Sequence, residues 1–148
     1  MANNKTFSLI KPTAVHKGHI GGILDHIVKN GFRIKALKML RMSKQEAQVF
    51  YNIHKERPFF DELTSYMSSG PVVVMILEKE NAVKEYRKLI GATNPAEAAE
   101  GTIRNLYGTD IQANAVHGAD SDENAEKEAD FFFAKYECYT AKGTNEAW

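Results

Sequence analysis

Three features of the sequence predict an α+β fold: a four-stranded antiparallel sheet covered by helices, in ferredoxin-like βαββαβ order. Short apolar runs that read as strands are separated by stretches whose apolar residues recur at helical spacing. Gly, Pro, Ser and Asn punctuate the boundaries between them. The resulting order is strand, helix, strand, helices, strand, helix, strand, helix, which suits one sheet with helices packed on one face.

Residues 6–10 form a short strand that Lys11 and Pro12 end. Across 19–30, Ile20, Ile23, Leu24, Ile27 and Val28 share one helical face, and Gly31 stops the helix. Ile34, Ala36, Leu37, Met39 and Leu40 mark a second strand through about Met42. The cations among them, Arg33, Lys35, Lys38 and Arg41, form its polar side. Ser43 with Glu46 three residues later is a capping box, opening a helix that runs to about Ile53. A short helix lies within 58–69, Gly70 and Pro71 turn the chain, and the unbroken apolar run 72–77 is a buried strand. Asn81 caps a helix that reaches Ile90 and ends at Gly91. A loop of small residues, 94–102, leads to one helical turn at 103–107. Ala115 and Val116 form the last strand, and a helix follows over about 121–132.

With 148 residues the chain is one domain, 1–148, large enough for a real core. Hydrophobic residues make up 43% and charged residues 26%, as in soluble globular proteins. Formal net charge is zero, so no global field draws nucleic acid or an anionic membrane. An anion site must be a local pocket of Lys and Arg. The single Cys138 excludes an internal disulfide and a thiolate zinc site. A polar start without a signal peptide, and no run near the roughly 20 apolar residues of a membrane span, predict a cytoplasmic protein.

The stretch Asn114-Ala115-Val116-His117-Gly118-Ala119-Asp120-Ser121 carries the strongest chemical signal. It begins as a strand and ends in residues that cap helix starts. His117 stands where the strand stops, and Gly118 lets the backbone turn. Glu128 lies two turns into the next helix, whose side chains lean toward its N-terminus and so toward the imidazole. A carboxylate on one ring nitrogen fixes the tautomer and frees the other for nucleophilic attack. Taken alone, His117 also fits a core histidine at a strand end.

No P-loop, dinucleotide fingerprint or protein-kinase signature is present. Instead Lys11, Arg57, Arg87 and Arg104 lie near element ends. With Thr93 and Asn114 they suit a donor-rich polyphosphate pocket if they converge, and ordinary surface charge if they do not. Of Phe59 and Phe60, one is placed to stack on a nucleobase, or both are core. Tyr51 presents a hydroxyl to the nucleophile or is simply half-buried. His16 and His19 flank Gly18 without a carboxylate or Cys cluster, and with His26 they read as surface residues. His54 is close in sequence to Arg57. The absence of an RNP-like aromatic motif, with neutral charge, speaks against an RNA-binding βαββαβ module and against any specific nucleic acid partner.

The residues resemble the nucleoside diphosphate kinase family over nearly the whole chain. The blocks Thr6-Phe7-Ser8-Leu9-Ile10-Lys11-Pro12, Arg57-Pro58-Phe59-Phe60, Ser69-Gly70-Pro71-Val72, Gly91-Ala92-Thr93-Asn94-Pro95-Ala96, Gly101-Thr102-Ile103-Arg104 and the His117 stretch with Glu128 follow in the family's order. The resemblance implies transfer of the γ-phosphoryl of a nucleoside triphosphate, typically ATP, to a nucleoside diphosphate. It implies a ping-pong route through phosphorylated His117, with Mg²⁺ bound through the nucleotide phosphates. By the same resemblance Lys11, Arg87, Thr93, Arg104 and Asn114 bind phosphate or sugar, His54 touches phosphate, and Phe59 and Ile111 face the base. Tyr51 lies beside the nucleophile and Glu128 orients it. The family implies a tetrameric or hexameric homo-oligomer, an expectation joined by the apolar run 72–77 and Trp148, which exceed what one sheet layer covers. The chain departs from the family's pattern at Thr13 (usually Asp), which can still cap, and at Ala119 (usually Ser). It departs also at Glu100, at Asn105-Leu106-Tyr107 and at its C-terminus. Ala119 leaves open a catalytically weak regulatory module on the same fold.

Overall fold

The computed structural model describes residues 4–148. Residues 1–3, where the expected absence of a signal peptide begins, lie outside the described residues. Four strands, β1 (Lys5–Ile10), β2 (Arg33–Leu40), β3 (Val72–Glu78) and β4 (Val116–Gly118), form one sheet in the order β2-β3-β1-β4. Every neighbouring pair is antiparallel. Helices α2 (Ile20–Lys29) and α5 (Ala82–Ile90) connect them in the expected βαββαβ sense. The remaining helices are α1 (Pro12–His16), α3 (Lys44–Phe50), α4 (Phe60–Met67), α6 (Ile103–Tyr107) and α7 (Asp122–Phe132).

Helices cover both faces of the sheet, not one. Side chains of a strand alternate between faces, so the unbroken apolar run of β3 needs apolar cover on both. Val72, Val74 and Ile76 join Phe7 and Leu9 of β1 under Ala47, Met67, Ala125, Ala129 and Phe132 of α3, α4 and α7. Val73, Met75 and Leu77 join Ile10 under Ile23, Ile27, Tyr86 and Ile90 of α2 and α5. The run is therefore buried within the chain and leaves no apolar surplus for a partner. Trp148 likewise packs against the first of these clusters.

Local chemistry explains most boundaries. The capping box is formed: Ser43 Oγ accepts from Glu46 N at 3.0 Å and Glu46 Oε1 accepts from Ser43 N at 2.8 Å. α3 stops at Phe50, earlier than the spacing suggests, and a 3₁₀ turn follows at Asn52–His54. Pro12 opens α1 rather than only ending β1, because Pro lacks just the N–H that a first helical position does not use. Thr13 does not cap. Its hydroxyl accepts from Tyr66 Oη at 2.8 Å, tying α1 to α4. Asn81 stands before α5 with φ 60° and no side-chain cap; its N–H donates to Asn4 Oδ1 instead. Ser121 caps α7 by accepting from Asn124 N at 3.1 Å.

Lys35 departs most from the pattern. The β2–β3 register shifts between Ile34 and Ala36, a bulge that turns Lys35 inward. Its side chain is fully buried, and Nζ meets Glu146 Oε1 at 2.6 Å. The C-terminal segment closes over this end of the sheet, with Tyr139 N donating to Lys35 O at 2.9 Å and Lys5 Nζ to Trp148 O at 3.0 Å.

Candidate active site

The imidazole of His117 is fixed from three sides. β4 pairs with β1 so that His117 stands opposite Leu9, and Ser8 Oγ donates to His117 O at 3.0 Å. Tyr86 Oη lies 2.7 Å from Ser8 Oγ and donates to it, since the Ser8 proton is already used. The rings of Phe7, Phe50 and Tyr51 lie 5.9–6.4 Å from the imidazole, centroid to centroid. From α7, Glu128 Oε1 meets His117 Nε2 at 2.7 Å. A carboxylate only accepts, so Nε2 carries the proton and Nδ1 keeps its lone pair. Both side chains are about one-fifth exposed, 23% and 20%, enough for a substrate to reach the ring.

The backbone turns before the histidine, not after it. Ala115 holds φ 75°, a conformation costing a non-glycine residue on the order of 1–3 kcal/mol. Lys11 N donates to Ala115 O at 2.8 Å and helps to hold it. Gly118 has no positive φ. It is needed for space, because a Cβ there would sit 3.1 Å from Ile90 Cδ1 and Tyr86 Cδ2.

Three of the four cations, Lys11, Arg87 and Arg104, converge. Arg104, from α6, is buried and donates through Nη1 to Gly91 O at 3.1 Å and through Nη2 to Val116 O at 3.0 Å, next to His117 in the chain. Burial, with the nearby Arg87 charge, lowers its pKa to about 10. Arg87 Nη1 reaches Gly118 O at 3.4 Å. Lys11 is buried where β1 ends, and Nζ donates to Gln112 O at 3.2 Å. Burial and the Arg104 charge lower its pKa to about 8, against an opposing pull from Asp110. Asn114 is buried with Nδ2 donating to Thr93 O at 3.0 Å. Arg57 is exposed and makes none of these contacts.

Three of the candidate site residues carry buried polar atoms with no hydrogen-bond partner among the described residues, Tyr51 Oη, Arg104 Nε and Asn114 Oδ1, as do Thr6 and, against its reading as a surface residue, His26 through Nε2. Such orphans are uncommon in folded proteins and call for an explanation. Burial, with Glu128 adding to it, holds the Tyr51 hydroxyl well above the usual phenol range, so it stays a donor. Phe59 is 48% exposed at the start of α4 with the His54 ring 5.5 Å away, while Phe60 packs against the core. Ile111, 59% exposed, lies on the loop before β4.

A family model described as "Nucleoside diphosphate kinase" matches residues 4–138. The chain belongs to the nucleoside diphosphate kinase family. It is 57% identical over 134 residues to the nucleoside diphosphate kinase of Flavobacterium psychrophilum, covering 90% of this chain and 96% of that one. It is 58% identical over 137 residues to that of Chlamydia muridarum, covering 93% and 97%. Among solved structures, the nucleoside diphosphate kinase of Aquifex aeolicus superposes with a TM-score of 0.90 at 47% identity, covering 91% of this chain and 98% of that one. A halophilic nucleoside diphosphate kinase from Halobacterium salinarum, in complex with CDP, superposes at 0.88 with 36% identity, covering 93% and 92%. The sequence left several supporting residues of this site without a role. Ser8, Tyr86, Phe7 and Phe50 fix the histidine strand and ring, and Gln112 touches Lys11. A serine inside an apolar strand was the one available signal for Ser8.

Proposed function

We propose that this chain, acting as one domain, is a nucleoside diphosphate kinase in which Nδ1 of His117 is the nucleophile. The observation that carries the atomic assignment is the 2.7 Å contact of Glu128 with Nε2. In the first half-reaction the Nδ1 lone pair attacks the γ-phosphorus of a nucleoside triphosphate. The bond to the bridging oxygen breaks, and the nucleoside diphosphate leaves with that electron pair. The positive charge gained by the ring is stabilised by Glu128 through Nε2–H. In the second half-reaction a terminal oxygen of another nucleoside diphosphate takes the phosphoryl, restoring the imidazole. Such transfer depends mostly on positioning and charge, which Lys11, Arg87 and Arg104 supply. Arg104 Nε–H and the Tyr51 hydroxyl offer free donors to phosphate oxygens, and Asn114 Oδ1 offers an acceptor to a ribose hydroxyl. Thr93 and His54 complete the phosphate side, and Phe59 and Ile111 face the base.

Among the described residues no group of three His, Cys, Asp or Glu side chains could hold a metal. The donors present suit phosphate oxygens, and Mg²⁺ bound through the nucleotide would supply charge neutralisation there. No helix among the described residues is long and apolar enough to cross a membrane, in keeping with a cytoplasmic enzyme. For the homo-oligomer, tetramer or hexamer, support comes from edge strand β2, where Leu37 and Met39 are exposed. An edge of that kind pairs readily with a second copy.

The test is incubation with γ-labelled ATP. We expect an acid-labile, alkali-stable phosphoenzyme, phosphorylated at Nδ1 by NMR, that passes its label to GDP. An acid-stable phosphoserine as the competent intermediate would overturn the assignment.

A further inference from the structure

The loop 108–114 is held firmly at its base. Thr109 N donates to Ala113 O at 2.8 Å, and Asp110 Oδ1 accepts from Ala113 N at 2.7 Å. Lys17 Nζ ties Thr109 Oγ1 to the α1–α2 turn at 2.8 Å. At the loop's tip lie Ile111 and Gln112. Across from it stands the α3–α4 hairpin, which carries Phe59 and is stapled by Lys44 to Asp61 at 2.8 Å. One hydrogen bond joins the two among the described residues: Gln112 Nε2 donates to Glu62 O at 3.4 Å. Glu62 lies three residues after Phe59, and Gln112 follows Ile111 directly. The same Gln112 offers its main-chain oxygen to Lys11 Nζ.

We propose that Gln112 is a positioning residue for the nucleotide: its side chain latches the Phe59 wall to the Ile111 loop and so sets the width of the slot where the base stacks. This rests on the reading of Phe59 and Ile111 as the two faces of that slot. The bond is long for an amide-to-carbonyl hydrogen bond and lies near solvent, so little energy is needed to open it. A latch of this kind lets a base enter and then holds the walls at stacking distance. Stacking alone is indifferent to which base is bound, because every base has a π-face. Gln112 therefore acts on how tightly any base is held, not on which.

The clean substitution is Gln112→Glu, which keeps shape and main-chain oxygen but replaces the donor with an acceptor facing Glu62 O. Gln112→Ala removes the latch without that repulsion. In both variants we expect KM for nucleoside diphosphates and Kd for ADP to rise about three- to tenfold, the range of one modest hydrogen bond, with turnover at saturating nucleotide retained. In Gln112→Ala, which adds no charge, Kd for pyrophosphate, which has no base, is expected to stay unchanged, and melting temperature is measured alongside. Unchanged KM in both variants would overturn the latch. Equal weakening toward ADP and pyrophosphate would also overturn it, placing the effect at Lys11 or in folding. Failure of the wild-type chain to phosphorylate at His117 would overturn the underlying site reading instead, and the two failures are distinct.

Discussion

Glu128 Oε1 and His117 Nε2 lie 2.7 Å apart, brought together from α7 and β4 across eleven residues of chain. That contact chooses between the two ring nitrogens. His117→Ala is expected to lower turnover by at least about 10⁴-fold, as removal of a covalent nucleophile does, while leaving melting nearly unchanged. Glu128→Gln retains an acceptor but loses charge. A charge-assisted hydrogen bond contributes about 1.5–3 kcal/mol, so turnover is expected to fall about ten- to a hundredfold. Stopped-flow measurement of phosphoenzyme formation checks both. Wild-type rates in Glu128→Gln would remove the carboxylate from the mechanism.

Lys11 gives the site an alkaline limit. Its pKa in the folded free enzyme is about 8, because burial and Arg104 disfavour its charge. As pH rises through 8 the ammonium is lost, so kcat/KM for nucleotides is expected to decline there. Lys11→Arg stays charged and should carry the plateau to higher pH. The stability consequence has the opposite direction. Between about 8 and the ordinary lysine value of 10.5 the unfolded chain binds more protons than the folded one at this residue, so its contribution makes the fold more stable as pH rises across that window. Activity and chemical denaturation profiles over pH 7–10.5 measure the two, and a flat kcat/KM through this range would count against the assignment of Lys11 to phosphate.

Ala119 is buried at the end of β4, its N–H donating to Phe7 O at 3.2 Å. A serine hydroxyl at this position, two residues from His117, is expected to offer Glu128 a second hydrogen bond. Ala119→Ser is expected to change turnover by less than about tenfold, roughly 1.4 kcal/mol, and to raise the melting temperature. An inert natural protein together with a fully active serine variant would favour a regulatory module on this fold.

Lys35 and Glu146 form an ion pair of unequal exposure, the lysine side chain fully buried and the glutamate 45% exposed. Lys5 also contacts Glu146, at 3.4 Å. Deleting the partner of a buried charge costs more than replacing that charge with an apolar group. Glu146→Ala is thus expected to lower the melting temperature more than Lys35→Met. Thermal melts of the two variants decide the order, and the reverse ranking would show that the C-terminal segment does not stabilise this end of the sheet.

Short-range chemistry was legible in the sequence, because its causes lie within a few residues of its effects. Ser43 and Glu46 are three apart and cap the same turn. The unbroken apolar run 72–77 and the helical spacing along 19–30 mark their elements without any knowledge of what packs on them, and the spacing of His117 and Glu128 marked their pairing. The family resemblance, carried by blocks in a fixed order, supplied the remaining site residues. Other features were decided only when distant segments met. Lys35 sits in a run that alternates like a solvated edge, yet the bulge and a glutamate 111 residues away turn it inward. Phe59 and Phe60 are the same in local chemistry, and apart from the family resemblance only packing on the core separates them. The turn at Ala115 is closed locally by Val116 N donating to Asn114 O at 2.9 Å, but its carbonyl is braced by Lys11 N from the far end of the chain. The bridge from Gln112 to Glu62 spans 50 residues. Each depends on long-range contacts whose partners are set by the sheet order and the helices on both its faces, and no local pattern encodes where those partners will stand.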